Sequence, residues 1–379
     1  MAAGISPTVG VLDGECRAGT STSKSISNGS TLSVDDAGVV ASPDQEEVVS
    51  NPGSSTPSLV DEKITEALVE EFLPFIRSGG WADIGLRNHM EDAHVRIDDL
   101  VKHLGELVIG ESTGSFYGVF DGHLGKDAAQ FVRENLLKFI VEDTAFPAAL
   151  EEAVKRAFLR TDRAFAQACQ IDSELASGTT ALTVLIFGRT LLVANVGDCR
   201  AVLCRRGRAV PMSRDHKPSC VEEKSRIESL GGFVDDGYLN GQLSVARALG
   251  DWHLEGLKAD DDDGGSSSGP LSGEPEMRQA ELTEDDEFLI IGCDGLWDAF
   301  SSQDAVTFAR RRLQQHNDPE KCSKDLIVEA LKRDTSDNLT VVTVCFRRDP
   351  PPSLRIIKPP VRTISNEGLR NLQELLNSL

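Results

Sequence analysis

From about Phe72 onward the chain alternates short apolar runs with longer helical patterns. FYGVF (116–120), TALTVLIF (180–187), TLLVANV (190–196), CRAVLC (199–204), EFLIIGC (287–293) and TVVTVCF (340–346) have the length and apolar texture of strands. Gly188-Arg189 and Arg206-Gly207 separate neighbouring runs, which predicts an antiparallel meander over 180–210. Between the strands, Ala149–Gln170 places Ala153, Ala157, Phe158, Thr161, Phe165 and Ala168 on one face at helical spacing, the pattern of core packing. Asp127–Val141, Ser219–Leu230, Gln303–Gln315 and Lys321–Arg333 read the same way. The long helices come in pairs rather than alternating singly with strands. That order favours an α+β layered fold over a doubly wound parallel sheet.

The flanks differ in texture. Residues 1–70 are rich in Ser, Gly, Thr, Pro and acids and poor in aromatics, so they are expected to be a disordered tail. The organised region is placed at 71–348, followed by a C-terminal portion at 349–379. There a proline-punctuated linker leads to EGLRNLQELLNSL, whose Leu369, Leu372, Leu376 and Leu379 share a helical face expected to dock on the body. DDDDGGSSSGP (260–270) is expected to be a solvated loop; its aspartates lack the alternating spacing of a calcium loop.

Composition narrows the function classes. The chain has 379 residues, 40% of them apolar, and a formal net charge of −22, which argues against a generic nucleic-acid or anionic-membrane surface. Its 8 cysteines are scattered without CxxC or zinc-finger spacing. Several of them, Cys199, Cys204, Cys293 and Cys345, lie in or beside strand-like runs as small hydrophobes, which fits a reducing compartment. No apolar run has the roughly 18 residues needed to span a membrane, and MAAGISPTVG followed by Asp13 and Glu15 resembles neither a signal nor a transit peptide. A cytoplasmic or nuclear monomer with no membrane partner is expected.

The acids carry the chemistry. Asp121 follows FYGVF, Asp294 follows FLIIGC, Asp198 follows LLVANVG, Asp337 precedes LTVVTVCF, and Glu91-Asp92 sits in RNHMEDAH. A single strand-end Asp is a turn residue. Several beside the most hydrophobic strands would meet at one edge of the core, where carboxylates repel each other and need a cation. All-oxygen ligation suits Mg²⁺ or Mn²⁺. A carboxylate-bridged pair of such ions lowers the pKa of a shared water and neutralises phosphate oxygens, which best serves phosphate ester hydrolysis by attack of a metal-bridging hydroxide. Arg87, four residues before Glu91, can offer a bidentate fork to the phosphate. His123, two residues after Asp121, titrates in the range needed to protonate the leaving group.

RNHMEDAH, FYGVFDGH, SGTTA, VGDCRAVL, LSVARALGD, GCDGLWD and SDNLTVV occur in this order between residues 87 and 342. Together they resemble the metal-dependent protein serine/threonine phosphatases of the protein phosphatase 2C family, of plant type. The resemblance implies a four-layer αββα sandwich, with two central antiparallel sheets flanked by helices and a dinuclear Mg²⁺/Mn²⁺ site at one edge. It implies that Asp121 bridges two ions, that the Gly122 carbonyl ligates one, and that Glu91, Asp294, Asp337 and Asp92 complete the shell. Asp198 resembles the position that, with Asp294, holds a third, weaker ion. Arg87 would grip the substrate phosphate and His123 would be the general acid; Thr180 and Asn338 would support, and Asp251 would be structural. DHKP (215–218) resembles the flap near the active site. The sequence departs from the family at Leu124, where a glycine usually follows the histidine, and this puts the loop geometry in question.

The expected partners are phosphorylated proteins. Two other readings compete: a non-catalytic phosphoprotein-binding module of the same fold, against which every metal acid is present, and a phosphatase that also binds DNA, against which the acidic balance speaks. His89, His94, His103, His216, His253 and His316 are expected to be surface or structural residues, and Arg310–Arg312 a solvated face.

Overall fold

The computed structural model describes residues 72–105, 114–258, 269–353 and 366–378. The expected tail, most of the 260–270 loop, the middle of the linker and Leu379 lie outside these residues. The strands are β1 (Arg77–Asp83), β2 (Ala93–Ile97), β3 (Gly114–Phe120), β4 (Gly122–His123), β5 (Gly178–Thr179), β6 (Ala181–Phe187), β7 (Thr190–Val196), β8 (Arg200–Arg205), β9 (Arg208–Pro211), β10 (Val234–Asp235), β11 (Tyr238–Leu239), β12 (Leu249–Gly250), β13 (Glu276–Glu281), β14 (Asp286–Gly292) and β15 (Leu339–Cys345). The helices are α1 (Leu100–Leu104), α2 (Asp127–Val141), α3 (Leu150–Ile171), α4 (Val221–Ser229), α5 (Asp294–Trp297), α6 (Ser302–His316), α7 (Pro319–Leu331) and α8 (Asn366–Asn377).

Two five-stranded antiparallel sheets carry the core, one in the order β1-β15-β14-β8-β9 and the other β13-β7-β6-β3-β2. They face each other through alternate residues. Tyr117, Val119, Leu182, Val184, Leu191 and Val193 from one sheet meet Ala201, Leu203, Leu289, Ile291, Val342 and Val344 from the other. The intervening residues point outward, and they are buried too. Phe116, Phe120, Leu185 and Leu192 pack with Val132, Leu136, Ile140 and Phe158 of α2 and α3. Val202, Phe288, Ile290 and Val341 pack with Val306, Ala309, Leu326 and Ile327 of α6 and α7. The result is the αββα sandwich. Burial on both faces explains why β3, β14 and β15 are continuous apolar runs rather than alternating ones.

Three expectations about local structure are corrected. The 180–210 region is not one meander: β6-β7 belongs to one sheet and β8-β9 to the other. Each pair is a tight hairpin, and Arg206 and Gly207 have the paired positive φ angles, 51° and 74°, of a type I′ turn. The link between the hairpins, at Gly197-Asp198-Cys199, crosses between the sheets, with Gly197 at φ 104°. Arg310, expected on a solvated face, is buried: its guanidinium donates to Glu287 at 2.5 and 3.1 Å and to the Pro352 carbonyl, tying α6 to β14 and to the outgoing chain. The C-terminal helix forms, but Leu376, which should dock, is exposed along with Leu375. Among the described residues no helix is long and apolar enough to cross a membrane, and seven cysteines are free thiols.

Candidate metal centre

Strand register gathers the acids. In the β2-β3 pair Ala93 lies opposite Phe120, so Asp92 and Asp121, each one residue beyond, share one sheet end. In the β14-β8 pair Gly292 lies opposite Arg200, so Asp294 and Asp198, each two residues beyond, share the corresponding end of the other sheet. Oxygens of Asp121, Asp198 and Asp294 lie within 4.8 Å of one another, and the same holds for ligand atoms of Asp92, Asp121 and Cys293. Glu91 and Asp337 belong to neither triplet but flank them: Asp337 acts electrostatically on Asp92 and Asp294, and Glu91 on His123.

The backbone under these acids is pinned. Asp121 N–H donates to Thr180 Oγ1 at 3.1 Å, and the Asp121 carbonyl accepts from Thr180 N–H at 2.9 Å and Thr179 Oγ1 at 3.0 Å. A side chain at Gly122 would run into the Glu91 carbonyl, so only glycine lets the two segments approach. Asn338 is buried and lashes the Arg87–Glu91 segment in place. Its amide donates to the Ile84 and His89 carbonyls at 2.9 and 3.0 Å, and its oxygen accepts from Glu91 N–H at 2.8 Å. The supporting roles expected of Thr180 and Asn338 are therefore backbone ones. Arg87, about half exposed, donates through Nη2 to Asp337 Oδ2 at 2.7 Å.

Electrostatically the cluster is unbalanced. Burial raises the Asp121 carboxyl well above its usual range, and the neighbouring Asp92, Asp294 and Asp198 carboxylates add to this. Burial also raises Asp92, and it raises Asp198 despite the ammonium of Lys217. Asp294 is pushed up to about 7 by burial and by the Asp198 and Asp337 carboxylates. Thr340 Oγ1 donates to Asp92 Oδ2 at 2.7 Å, but the buried Asp92 Oδ1 has no hydrogen-bond partner. Converging buried oxygens, one of them orphaned, are the donor set of a hard divalent cation. The residues fit the ions that the sequence calls for.

His123 is held from a third direction. The small sheet β12-β5-β4 brings Leu249-Gly250 beside Gly178-Thr179, and these beside Gly122-His123. Asp251, one residue past β12, is completely buried and lies 2.8 Å from His123 Nε2 through Oδ2. A side chain at Gly178 would collide with that carboxylate, which accounts for the glycine of SGTTA. Burial pulls the imidazole pKa down, but the Asp251 charge and hydrogen bond outweigh it and the net shift is upward. Asp251 is the residue that sequence reasoning undervalued. Its signal was its place at the end of LSVARALGD, an Asp after a strand-like pair like the others. Leu124 adopts φ 60°, the left-handed conformation usually left to glycine, and its side chain is exposed. The loop thus keeps a glycine-like geometry in spite of the substitution.

A sequence profile described as Protein phosphatase 2C matches residues 78–339, which takes in every acid of the cluster together with Arg87, His123 and Asp251. The chain belongs to the protein phosphatase 2C family. Among curated relatives, Probable protein phosphatase 2C 57 of Oryza sativa subsp. japonica is 58% identical over 332 residues, covering 87% of this chain and 89% of the relative. Probable protein phosphatase 2C 27 of Arabidopsis thaliana is 59% identical over 309 residues, covering 81% and 79%. Among solved structures, a serine-threonine phosphatase 2C from Toxoplasma gondii superposes with a TM-score of 0.60 at 21% identity, over 73% of this chain and 98% of its own. A C. elegans sex determining protein superposes with a TM-score of 0.63 at 24% identity, over 73% of this chain and 65% of its own. These two show the shared fold. The enzyme class expected from the sequence, a serine/threonine protein phosphatase of plant type, stands on the profile and the plant relatives. The protein phosphatase 2C family is metal-dependent, and two groups here, Asp121 with Asp198 and Asp294, and Asp92 with Asp121 and Cys293, could hold a metal ion.

Proposed function

We propose that the protein hydrolyses phosphoserine and phosphothreonine in protein substrates, using two Mg²⁺ or Mn²⁺ ions and a weaker third. The convergence of Asp121, Asp198 and Asp294 beside the orphaned Asp92 Oδ1 carries this reading. Asp121, the Gly122 carbonyl, Glu91, Asp92, Asp294 and Asp337 would hold the two ions, and Asp198 with Asp294 the third. Bound there, the ions supply a nucleophilic water near neutral pH and neutralise the phosphate oxygens.

The remaining work falls to the chain's own side chains. Arg87 reaches Asp337 through Nη2 and is half exposed, so the guanidinium is anchored there and its remaining N–H groups would donate to phosphate oxygens. His123 donates a proton to the departing serine or threonine oxygen, and Asp251 fixes the tautomer and orientation of the ring through Nε2.

Purified full-length protein should release phosphate from a phosphothreonine peptide in Mn²⁺ and stop on addition of EDTA; release that continues after chelation would reject the reading. His123→Ala should slow turnover of a phosphoserine peptide by about 10²–10⁴-fold, with a smaller loss on an aryl phosphate, whose leaving group needs no proton. Equal losses on both substrates would remove His123 from the general-acid role.

A further inference from the structure

Four consecutive flap-root residues are tied to the sheet crossing that carries Asp198. Asn195 Nδ2 donates to the Arg214 carbonyl at 2.8 Å, and Arg200 forks onto Asp215 through Nε at 2.9 Å and Nη2 at 2.5 Å. Gly197 N–H donates to His216 Nδ1 at 3.1 Å, while His216 N–H returns a bond to the Gly197 carbonyl at 3.0 Å. Lys217 completes the series, its Nζ donating to Asp198 Oδ2. Asp198 is 3% exposed, and its carboxylate is one corner of the triplet with Asp121 and Asp294. The ammonium therefore sits on a ligand oxygen that a third ion requires. The bonds made by Arg214, Asp215 and His216 fix the backbone from which Lys217 reaches Asp198.

We infer that Lys217 is the resident counter-cation of Asp198 and competes with the third divalent ion for it. An ion can take Asp198 only from the fraction of molecules in which Lys217 has withdrawn, so its apparent affinity is lowered by that fraction. Asp198 is buried and the Lys217 side chain only 35% exposed, so their opposite charges attract more strongly than at the open surface, which keeps that fraction small. The two-ion site does not pass through this contact. Lys217 thus sets the concentration at which the weaker ion loads, and the inference rests on the metal-dependent reading above.

The test counts Mn²⁺ on the full-length protein by titration calorimetry and by electron paramagnetic resonance of free Mn²⁺. Lys217→Met should tighten the weakest site at least tenfold and leave the two tighter sites unchanged, Lys217→Arg should behave as wild type, and Asp198→Asn should remove the weakest site in either background. An unchanged or weakened third site in Lys217→Met overturns the inference. Wild-type protein gives an independent readout should that variant fold poorly. Acylation of Lys217 by an amine-reactive ester, followed by peptide mass spectrometry, should rise as the third ion loads; constant labelling across the titration overturns the inference. Absence of any tight Mn²⁺ site in wild type would instead overturn the metal-dependent reading itself.

Discussion

The inter-sheet core and the acidic end of the same sandwich are energetically opposite: the core is completely buried, whereas at the end only Asp198 is fully buried and Asp92, Asp121 and Asp294 are partly so. In the core, Leu203, Leu289, Ile291 and Val344 replace contacts with water by contacts with each other, and nothing further is needed. At the end, Asp92, Asp121, Asp198 and Asp294 are delivered by those same strands, but their burial is unfavourable until a cation joins them. The core makes the fold rigid enough to hold the acids together. The acids are therefore expected to make part of the fold's stability depend on a bound cation.

Substitutions should separate the two regions. Asp121→Asn should lower turnover by at least 10³-fold, and in EDTA it should raise the melting temperature, because one of the mutually repelling carboxylates is gone. Leu289→Ala should do the reverse. It should cost about 2–5 kcal/mol of stability, equally with Mn²⁺ or EDTA, while its effect on kcat below the melting transition is small. Thermal melts and steady-state kinetics on both variants check this pair. A loss of stability in EDTA for Asp121→Asn would show that the acidic end is not under charge strain.

A smaller effect is expected where the loop beside the site departs from its family. Leu124 holds a left-handed backbone at φ 60°, a conformation that costs a β-carbon residue about 1–2 kcal/mol, while glycine adopts it freely. Leu124→Gly should therefore change stability by no more than about 1 kcal/mol, since glycine gives back part of the gain as unfolded-state entropy. Urea melts measure it. A loss well above that size would mean that the exposed leucine makes a contact important to the fold.

Much of this arrangement was legible because it is written locally. TLLVANV and FLIIGC are strands on their apolar content alone, and an aspartate just past each is visible without any structure. The α+β layering followed from helices arriving in pairs. What escaped were relations between distant positions. Two hairpins joined at Gly197-Asp198 look the same in sequence whether the chain stays in one sheet or crosses to the other, and only the packing of Val193 against Ala201 and Leu203 across the sandwich separates the cases. Arg310 looked solvated because its partner Glu287 lies 23 residues away in β14. Asp251 and His123 are 128 residues apart and meet only through the small β12-β5-β4 sheet. Lys217 on Asp198 likewise needed the flap root in place.

The conditional stability of the acidic end has a definite pH signature. Asp294, with its carboxyl pushed up to about 7 in the fold, binds more protons folded than unfolded between roughly pH 4 and 7. Asp92, Asp121 and Asp198 shift in the same direction. Their contribution is most favourable below pH 4 and is lost as pH rises through that window, unless a cation takes the protons' place. The direct measurement is the melting temperature of the full-length protein at pH 5.5 and pH 8, each with Mn²⁺ and with EDTA. Stabilisation by Mn²⁺ should be clearly larger at pH 8; no stabilisation, or a larger one at pH 5.5, would show that the buried acids are not balanced by a cation.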